Sequence, residues 1–375
     1  MRPPDTLFID SGGEGGALTV REGRYPVLDL PMAAMALYAM QTQAPSGGRG
    51  NLTSLRGGGP MTVLVDPGDG MWSMIWANVP DGKAATSAAL PWMRRTVTSG
   101  NGVQFFPHQG HPAEVFFGMP RRLWLLAQGD RVTGVIQRPS GTKYVGWRHP
   151  LTPYYRLKAG DEPLPVRPRA GVFGYRHWLG IAARQAGDLR ERPAVVEAWE
   201  DRRPRHKADI IVAGWAMENM KARDYRWSRA PLVVLPEDRA LFLTGMVEAA
   251  DMLSAALRGA LAPVLAEGEA REAVREEFYI RTQDAFEGWA GRLAEINLEE
   301  AARGWVADMR DVALDLFERL ALPGLADRTM PEQQEIVAAH RGLTGSLAGH
   351  GKLGKKAFDV LMLPLPAKTK EEVTA

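Results

Sequence analysis

The sequence changes texture near Pro236, and no other feature constrains the fold as strongly. Before that point, glycine and proline punctuate short β-prone runs: Met61–Val65, Ala113–Phe117, Leu123–Leu126, Arg131–Ile136 and Asp209–Ala213. Runs of this length between turn residues read as strands. Helices are expected at Pro31–Gln43 and Trp178–Gln185. After Pro236, apolar residues recur at three- and four-residue steps. Phe278, Thr282, Ala285, Trp289, Leu293 and Ile296 form one stripe, and Trp305, Met309, Val312, Leu316 and Leu320 form another. That spacing puts each set on one face of a helix. Asn297 with Glu300, and Thr329 with Glu332, have the spacing of capping boxes. Adding Glu237–Leu265 and Pro331–Ala348 gives four helices on short loops, which pack as antiparallel neighbours. The expected fold class is α+β: an irregular mixed α/β N-terminal domain with long loops over 1–236, a C-terminal four-helix bundle over 237–366, and a flexible tail over 367–375.

Composition narrows the function classes. The 375 residues include no cysteine, which excludes disulfide frameworks, thiol nucleophiles and Cys-ligated zinc and permits a cytoplasmic home. No uninterrupted run of about 18 apolar residues marks a membrane span, and the N-terminus has no secretory pattern. The formal charge of +2 hides an asymmetry: residues 1–236 carry 30 Lys and Arg against 20 Asp and Glu, while 237–375 carry 16 against 24. A basic half beside an acidic one fits a polyanion partner for the first, with chance scatter of surface charge as the alternative.

Three stretches concentrate recognition chemistry. Residues 44–60 hold Ser46-Gly47-Gly48-Arg49-Gly50 and a later Gly57-Gly58-Gly59. Such a loop lets backbone N–H groups approach a phosphate or a narrow groove, although it reads equally as a flexible crossover. It is neither a P-loop nor a dinucleotide fingerprint. Residues 214–227 set Glu218, Asn219, Lys221, Arg223 and Tyr225 side by side, suited to phosphates and base edges or to an amphipathic connector with Trp215, Met217 and Met220 in the core. Residues 138–156 interleave Arg138, Lys143 and Arg148 with Tyr144 and Trp147, as nucleic-acid surfaces do and as a loop over buried aromatics also does. Catalytic signals are thin. His108 and His111 are ligand types in a proline-bounded loop without a helical glutamate, and no GxSxG motif occurs.

At these same stretches the sequence resembles a known family, the CasA-type large subunit of the type I-E CRISPR surveillance complex, Cascade. Gln43–Thr62 is similar to the family's glycine-loop block, Gly214–Arg223 to its G-x-D-M-D-N-M-K-A-R block, and Gly141–Tyr155 to a third, all in order. The resemblance implies a subunit without catalysis or cofactor that works with crRNA and the other Cascade subunits. It reads the protospacer-adjacent motif (PAM) in double-stranded DNA from the minor groove, promotes duplex opening and R-loop formation, and recruits the helicase-nuclease. By position in the motifs, Ser46, Gly47, Gly48, Arg49 and Gly50 would face the minor groove, and Asn219 with Glu218 and Lys221 would form the wedge. Lys143 or Arg138 would serve as the lysine finger, and Phe8 matches the start of a loop that touches the crRNA 5′ handle.

Departures from the pattern carry their own expectations. Family members typically have a further N-terminal quarter ahead of the Phe8 region, so a compact member, a truncated one, or a part supplied by another polypeptide is implied. Glu218 stands where Asp is usual, Arg49 where a small residue is common, and a zinc site carried by some relatives lacks its cysteines. Two rival readings remain: a metal-dependent phosphoester hydrolase built on His108 and His111, and a truncated remnant that docks without reading DNA.

Overall fold

The computed structural model describes residues 1–11, 20–21, 23–48, 50–82, 84, 86–168, 171, 173–185, 187, 189–203, 206–218 and 220–366. The chain divides into two compact units, one formed by Met1–Ala170 with Asp188–Leu232, the other by Gly171–Gly187 with Val233–Ala375.

In chain order the first unit contains β1 (Leu28–Asp29), α1 (Leu30–Gln43), β2 (Thr62–Asp66), α2 (Met71–Ala77), β3 (Arg122–Gln128), β4 (Arg131–Arg138), β5 (Tyr154–Tyr155), β6 (Leu164–Pro165), β7 (Arg190–Glu191), α3 (Ala194–Arg202), β8 (Asp209–Glu218) and β9 (Lys221–Pro231). Among the described residues three small antiparallel sheets form, in the orders β1-β4-β3, β2-β8-β9 and β6-β5-β7. In the first sheet, Gln128 faces Arg131 across a two-residue turn whose Gly129 takes φ +61°, as tight hairpins require. Asp29 caps α1 by accepting from the Met32 amide at 2.7 Å. Leu28, Ala33, Ala36, Val132 and Val135 then bury a common core with Leu7. In the second sheet, Val63, Val65, Ile210, Val212 and Ala216 alternate onto one buried face. Asn78 pairs its side chain with both Val65 backbone groups, at 2.8 and 2.7 Å.

Two expectations in this part of the chain fail. Ala113–Phe117 is a 3₁₀ segment, Pro112–Phe116, because Pro112 opens a turn that His111 caps; β propensity loses to the turn chemistry. Trp178–Gln185 is not a helix. The Trp178 carbonyl accepts from Ile181, Ala182 and Ala183 around a Gly180 at φ +75°, giving a tight turn. That turn belongs to the second unit, where Tyr175 stacks on Phe286 at 4.2 Å and Trp178 meets the same ring edge-on.

The second unit carries α4 (Glu237–Ala260), α5 (Glu269–Ala290), α6 (Leu298–Ala321), α7 (Met330–Leu347) and α8 (Gly351–Val360). Helix α4 packs against each of the other four, through Phe242, Met246, Ala249, Ala250, Leu253 and Leu257. It is long and apolar enough to cross a membrane by length and composition, yet most of it is buried among its neighbours. It ends at Ala260 rather than Leu265, and the α5 stripe overshoots its helix, with Leu293 and Ile296 lying in the following turn. Asn297 caps α6 by accepting from the Glu299 and Glu300 amides, at 2.8 and 3.3 Å. The Glu332 carboxylate accepts from the Thr329 amide and hydroxyl at the start of α7. Helix α8 is absent from the sequence expectation: it is only ten residues long and carries Gly351 and Gly354, both poor helix formers, although its apolar and lysine residues separate onto opposite faces. Its seat is made from outside, since a Cβ at Gly245 of α4 would lie 2.2 Å from the Val360 carbonyl oxygen.

Candidate nucleic-acid interface

The glycine-rich segment is closed at its base by backbone bonds: the Ser54 amide donates to Ala44 O at 3.0 Å and the Gly59 amide to Gln43 O at 2.8 Å. Its tip is closed again by Asn51, which accepts from the Gly47 amide, donates its own amide to Gly48 O, and donates its side-chain amide to Gly47 O. The tip is therefore built and held. Ser46, Gly47 and Gly48 are exposed there. Gly48 takes φ +86° and has open space where a side chain would stand, so its backbone is approachable from outside. Arg49 lies outside the described residues.

The tertiary structure brings the three sequence stretches together. Gly50 O accepts from the Ser140 amide at 2.7 Å, and a Cβ at Gly50 would lie 2.6 Å from Pro139 Cβ. Gly50 also takes φ +76°, so two independent reasons keep glycine there. This contact places Arg138, exposed at the end of β4, next to the loop. On its other side the loop rests on β8, with a Cβ at Gly59 coming within 2.5 Å of Trp215 O. β8 and β9 then run as a hairpin to the pair Glu218 and Lys221. Position 219 lies outside the described residues, and Met220 beside it is exposed at φ +64°.

The charges in this region are partly spent on each other. Glu218 accepts from Arg223 at 2.9 Å, and Arg229 bridges Asp209 and Asp66 at 2.7 and 2.8 Å. β9 is a sheet edge. Its outward residues read Lys221, Arg223, Tyr225, Trp227 and Arg229, with Trp215 of β8 edge-on to Tyr225 at 5.0 Å. Neither Trp215 nor Met217 is fully buried. Lys143 is exposed while its carbonyl accepts from Phe105. The aromatic neighbours of Lys143 turn inward: Tyr144 and Trp147 pack on Phe105. Tyr144 also donates to the buried Glu114 at 2.8 Å, and burial, with Glu114 next, holds its hydroxyl well above the ordinary range. Phe8 is half-buried against the first core and Tyr25, with ring centroids 5.4 Å apart.

The two histidines do different jobs. His111 Nδ1 accepts from the Ala113 amide at 3.1 Å, and His108 stacks on Phe106. Among the described residues no three His, Asp or Glu side chains are placed to hold a metal ion.

Sequence reasoning misses Arg121 and its partner Gln41. Gln41 bonds both backbone groups of Arg121, at 2.9 and 3.1 Å, and the Arg121 guanidinium donates to Pro45 O in the glycine loop. The only sequence signal was the pair Arg121-Arg122 between Pro120 and a strand.

The family model described as CRISPR-associated protein Cse1 matches residues 4–316. No curated protein matches the chain. Among solved structures, Thermus thermophilus CasA (Cse1) superposes with a TM-score of 0.64 at 18% identity, covering 92% of this chain and 74% of that one. Cse1 from Acidimicrobium ferrooxidans gives 0.63 at 17% identity, covering 96% and 76%. A chain of a CRISPR RNA-guided surveillance complex gives 0.59 at 15%, covering 84% and 68%.

Proposed function

The chain belongs to the CRISPR-associated Cse1 family, and from that premise we propose that it is the large subunit of a crRNA-guided surveillance complex that reads a PAM in double-stranded DNA. The observation that carries this reading is the meeting of three stretches on one unit: an exposed, hydrogen-bonded glycine tip, Arg138 beside it, and a hairpin ending at Glu218 and Lys221. Backbone pressed into a minor groove reads width and A·T against G·C, and a short protein-read element suffices where guide pairing supplies the rest. Asn219, which follows Glu218 in the sequence, is the wedge that parts the first base pair, an unstacking of about a few kcal/mol that bound duplex must offset. Arg138 beside the loop and the exposed Lys143 are the candidates for the finger.

The subunit has no catalysis of its own. It steadies the displaced strand and recruits the helicase-nuclease through its C-terminal helices, α4 to α8. Lys352, Lys355 and Lys356, all exposed on α8, give that acidic half a local positive surface.

The test is duplex binding by the crRNA complex with and without this protein, at about 150 mM salt because phosphate contacts are salt-sensitive. The protein is expected to strengthen binding to a duplex with the cognate PAM and not to a scrambled one. Asn219→Ala and a bulky residue at Gly48 are expected to weaken that binding while docking on the complex persists. Docking without any PAM dependence overturns the reading.

A further inference from the structure

Two buried guanidiniums, Arg56 and Arg121, meet no acid among the described residues. Arg56 is 5% exposed; its Nη1 donates to the hydroxyls of Thr62 and Thr152, at 2.9 and 3.2 Å, and its Nε meets no acceptor. Arg121 is 7% exposed, donates to Pro45 O, and also has an unpartnered Nε. Among the described residues neither meets a carboxylate within ion-pair distance. Buried charges are ordinarily paired. Burial pushes Arg56 down to about 10, which leaves it cationic at neutral pH, and burial with the nearby Arg2 lowers Arg121 as well. Arg121 thus brings a positive charge to the glycine loop through its bond to Pro45 O.

Arg121 also decides what the loop can be. A Cβ at Gly47 would lie 2.3 Å from its Nη1 and 2.8 Å from Nη2. A Cβ at Gly141 would lie 1.9 Å from Pro120 O and 3.0 Å from the Arg121 amide nitrogen. At Gly141 the obstacle is backbone and excludes a side chain; at Gly47 it is the guanidinium, which must shift against its bond to Pro45 O for a side chain to enter, and Gln41 of α1 fixes the corner by holding both Arg121 backbone groups. Gly47 does not have a positive φ. Its need for glycine comes from the guanidinium alone, unlike that of Gly48.

We infer that Arg121 is the positioning residue of the glycine loop: its guanidinium fills the space under Gly47, holds Pro45, and supplies buried positive charge to the loop's nucleic-acid face. This rests on the duplex-reading function proposed above and adds to it a residue that need not touch DNA.

The test is a double-mutant cycle between Gly47→Ala and Arg121→Ala, with Arg121→Met as a second variant that keeps much of the side-chain volume if the alanine fails to fold. The first readout uses the free protein and no DNA: hydrogen exchange at the Gly47 and Asn51 amides, which close the loop tip. Gly47→Ala alone is expected to speed exchange at both amides about tenfold or more. In the Arg121→Ala background it is expected to add nothing, because the clashing group is gone. Additive effects, or unchanged protection in Arg121→Ala and Arg121→Met, overturn the positioning role. The second readout is cognate-duplex binding by the complex as a function of salt. Arg121→Met is expected to lose about tenfold in affinity and to flatten the salt slope, while Arg121→Lys keeps the slope. An unchanged slope in Arg121→Met removes the charge role. Coupled exchange together with no PAM discrimination by wild type would sink the duplex-reading function and leave the loop-positioning role standing.

Discussion

The helical unit and the glycine-loop unit are stabilised by different means. In the helical unit, the residues that matter lie one or two turns apart on a helix: Trp305, Met309 and Leu316 of α6 are all fully buried along one stripe. Around the glycine loop, the deciding contacts join Gly47 to Arg121, Gly50 to Pro139 and Gly59 to Trp215, and much of what they press against is backbone. A helix face tolerates volume-conserving change because neighbouring side chains can repack. A loop pressed against a backbone carbonyl, as at Gly59 and Gly141, has nowhere to move, whereas one pressed against a guanidinium moves only if that side chain gives up its own bonds. The first unit should therefore respond to sequence change in sharp, site-specific steps, and the second in proportion to the volume lost.

The largest expected effect lies in the helices. Trp305 is fully buried, edge-on to Phe286 at 5.4 Å and donating to Met246 O at 3.0 Å. Trp305→Ala should cost about 3–5 kcal/mol, read as a drop in the urea midpoint. A loss below about 1 kcal/mol would break the contrast, since the apolar stripe would then not be what holds the unit. Next comes Gly141→Ala, a single added methyl 1.9 Å from Pro120 O. It should cost about 1–3 kcal/mol and reduce cognate-duplex binding together with loop-tip protection. A fully stable variant would show that the corner yields. Asn297→Ala removes the cap of α6 and should cost about 1 kcal/mol, with no effect on duplex binding by the complex.

An effect of about the same size as the Asn297 cap, roughly 1 kcal/mol, is one of pH. Burial, and then the charge of Arg56, holds His149 well below its ordinary value, so the folded protein keeps it neutral. The unfolded chain takes up a proton near about 6.5 that the folded chain refuses. Stability from this residue is full above that pH and falls as the pH drops below it. Denaturant midpoints at about pH 7.5 and 5.5 should differ in that direction, and His149→Gln should shrink the difference. An unchanged difference would acquit His149.

Much of the architecture was legible in the chain. α1, the strands around Val63 and Ile210, the β3–β4 hairpin and the caps at Asn297 and Thr329 follow from local pattern and turn chemistry. The failures share one cause. Ala113–Phe117 looked like a strand and Trp178–Gln185 like a helix because their side chains have those propensities, yet Pro112 with His111 and the turn at Gly180 decided the backbone. Helix α8 escaped notice because its place depends on Gly245 of a distant helix. The site was legible as three stretches of suitable residues. Arg121 was not, since nothing in its own neighbourhood marks a side chain that works so far along the chain from Gly47.

What the sequence alone determined is the division into a turn-rich, basic part and a periodic, acidic part, together with the residue types able to meet nucleic acid. Local spacing suffices for this, because helix period, strand alternation and turn preference are properties of a few neighbouring residues. Only the tertiary structure decided that the glycine loop meets Pro139, Arg121 and Trp215, and that the guanidiniums of Arg56 and Arg121 are buried with no carboxylate partner among the described residues. Steric exclusion and burial are set by which distant atoms share a space, and no spacing along the chain records that.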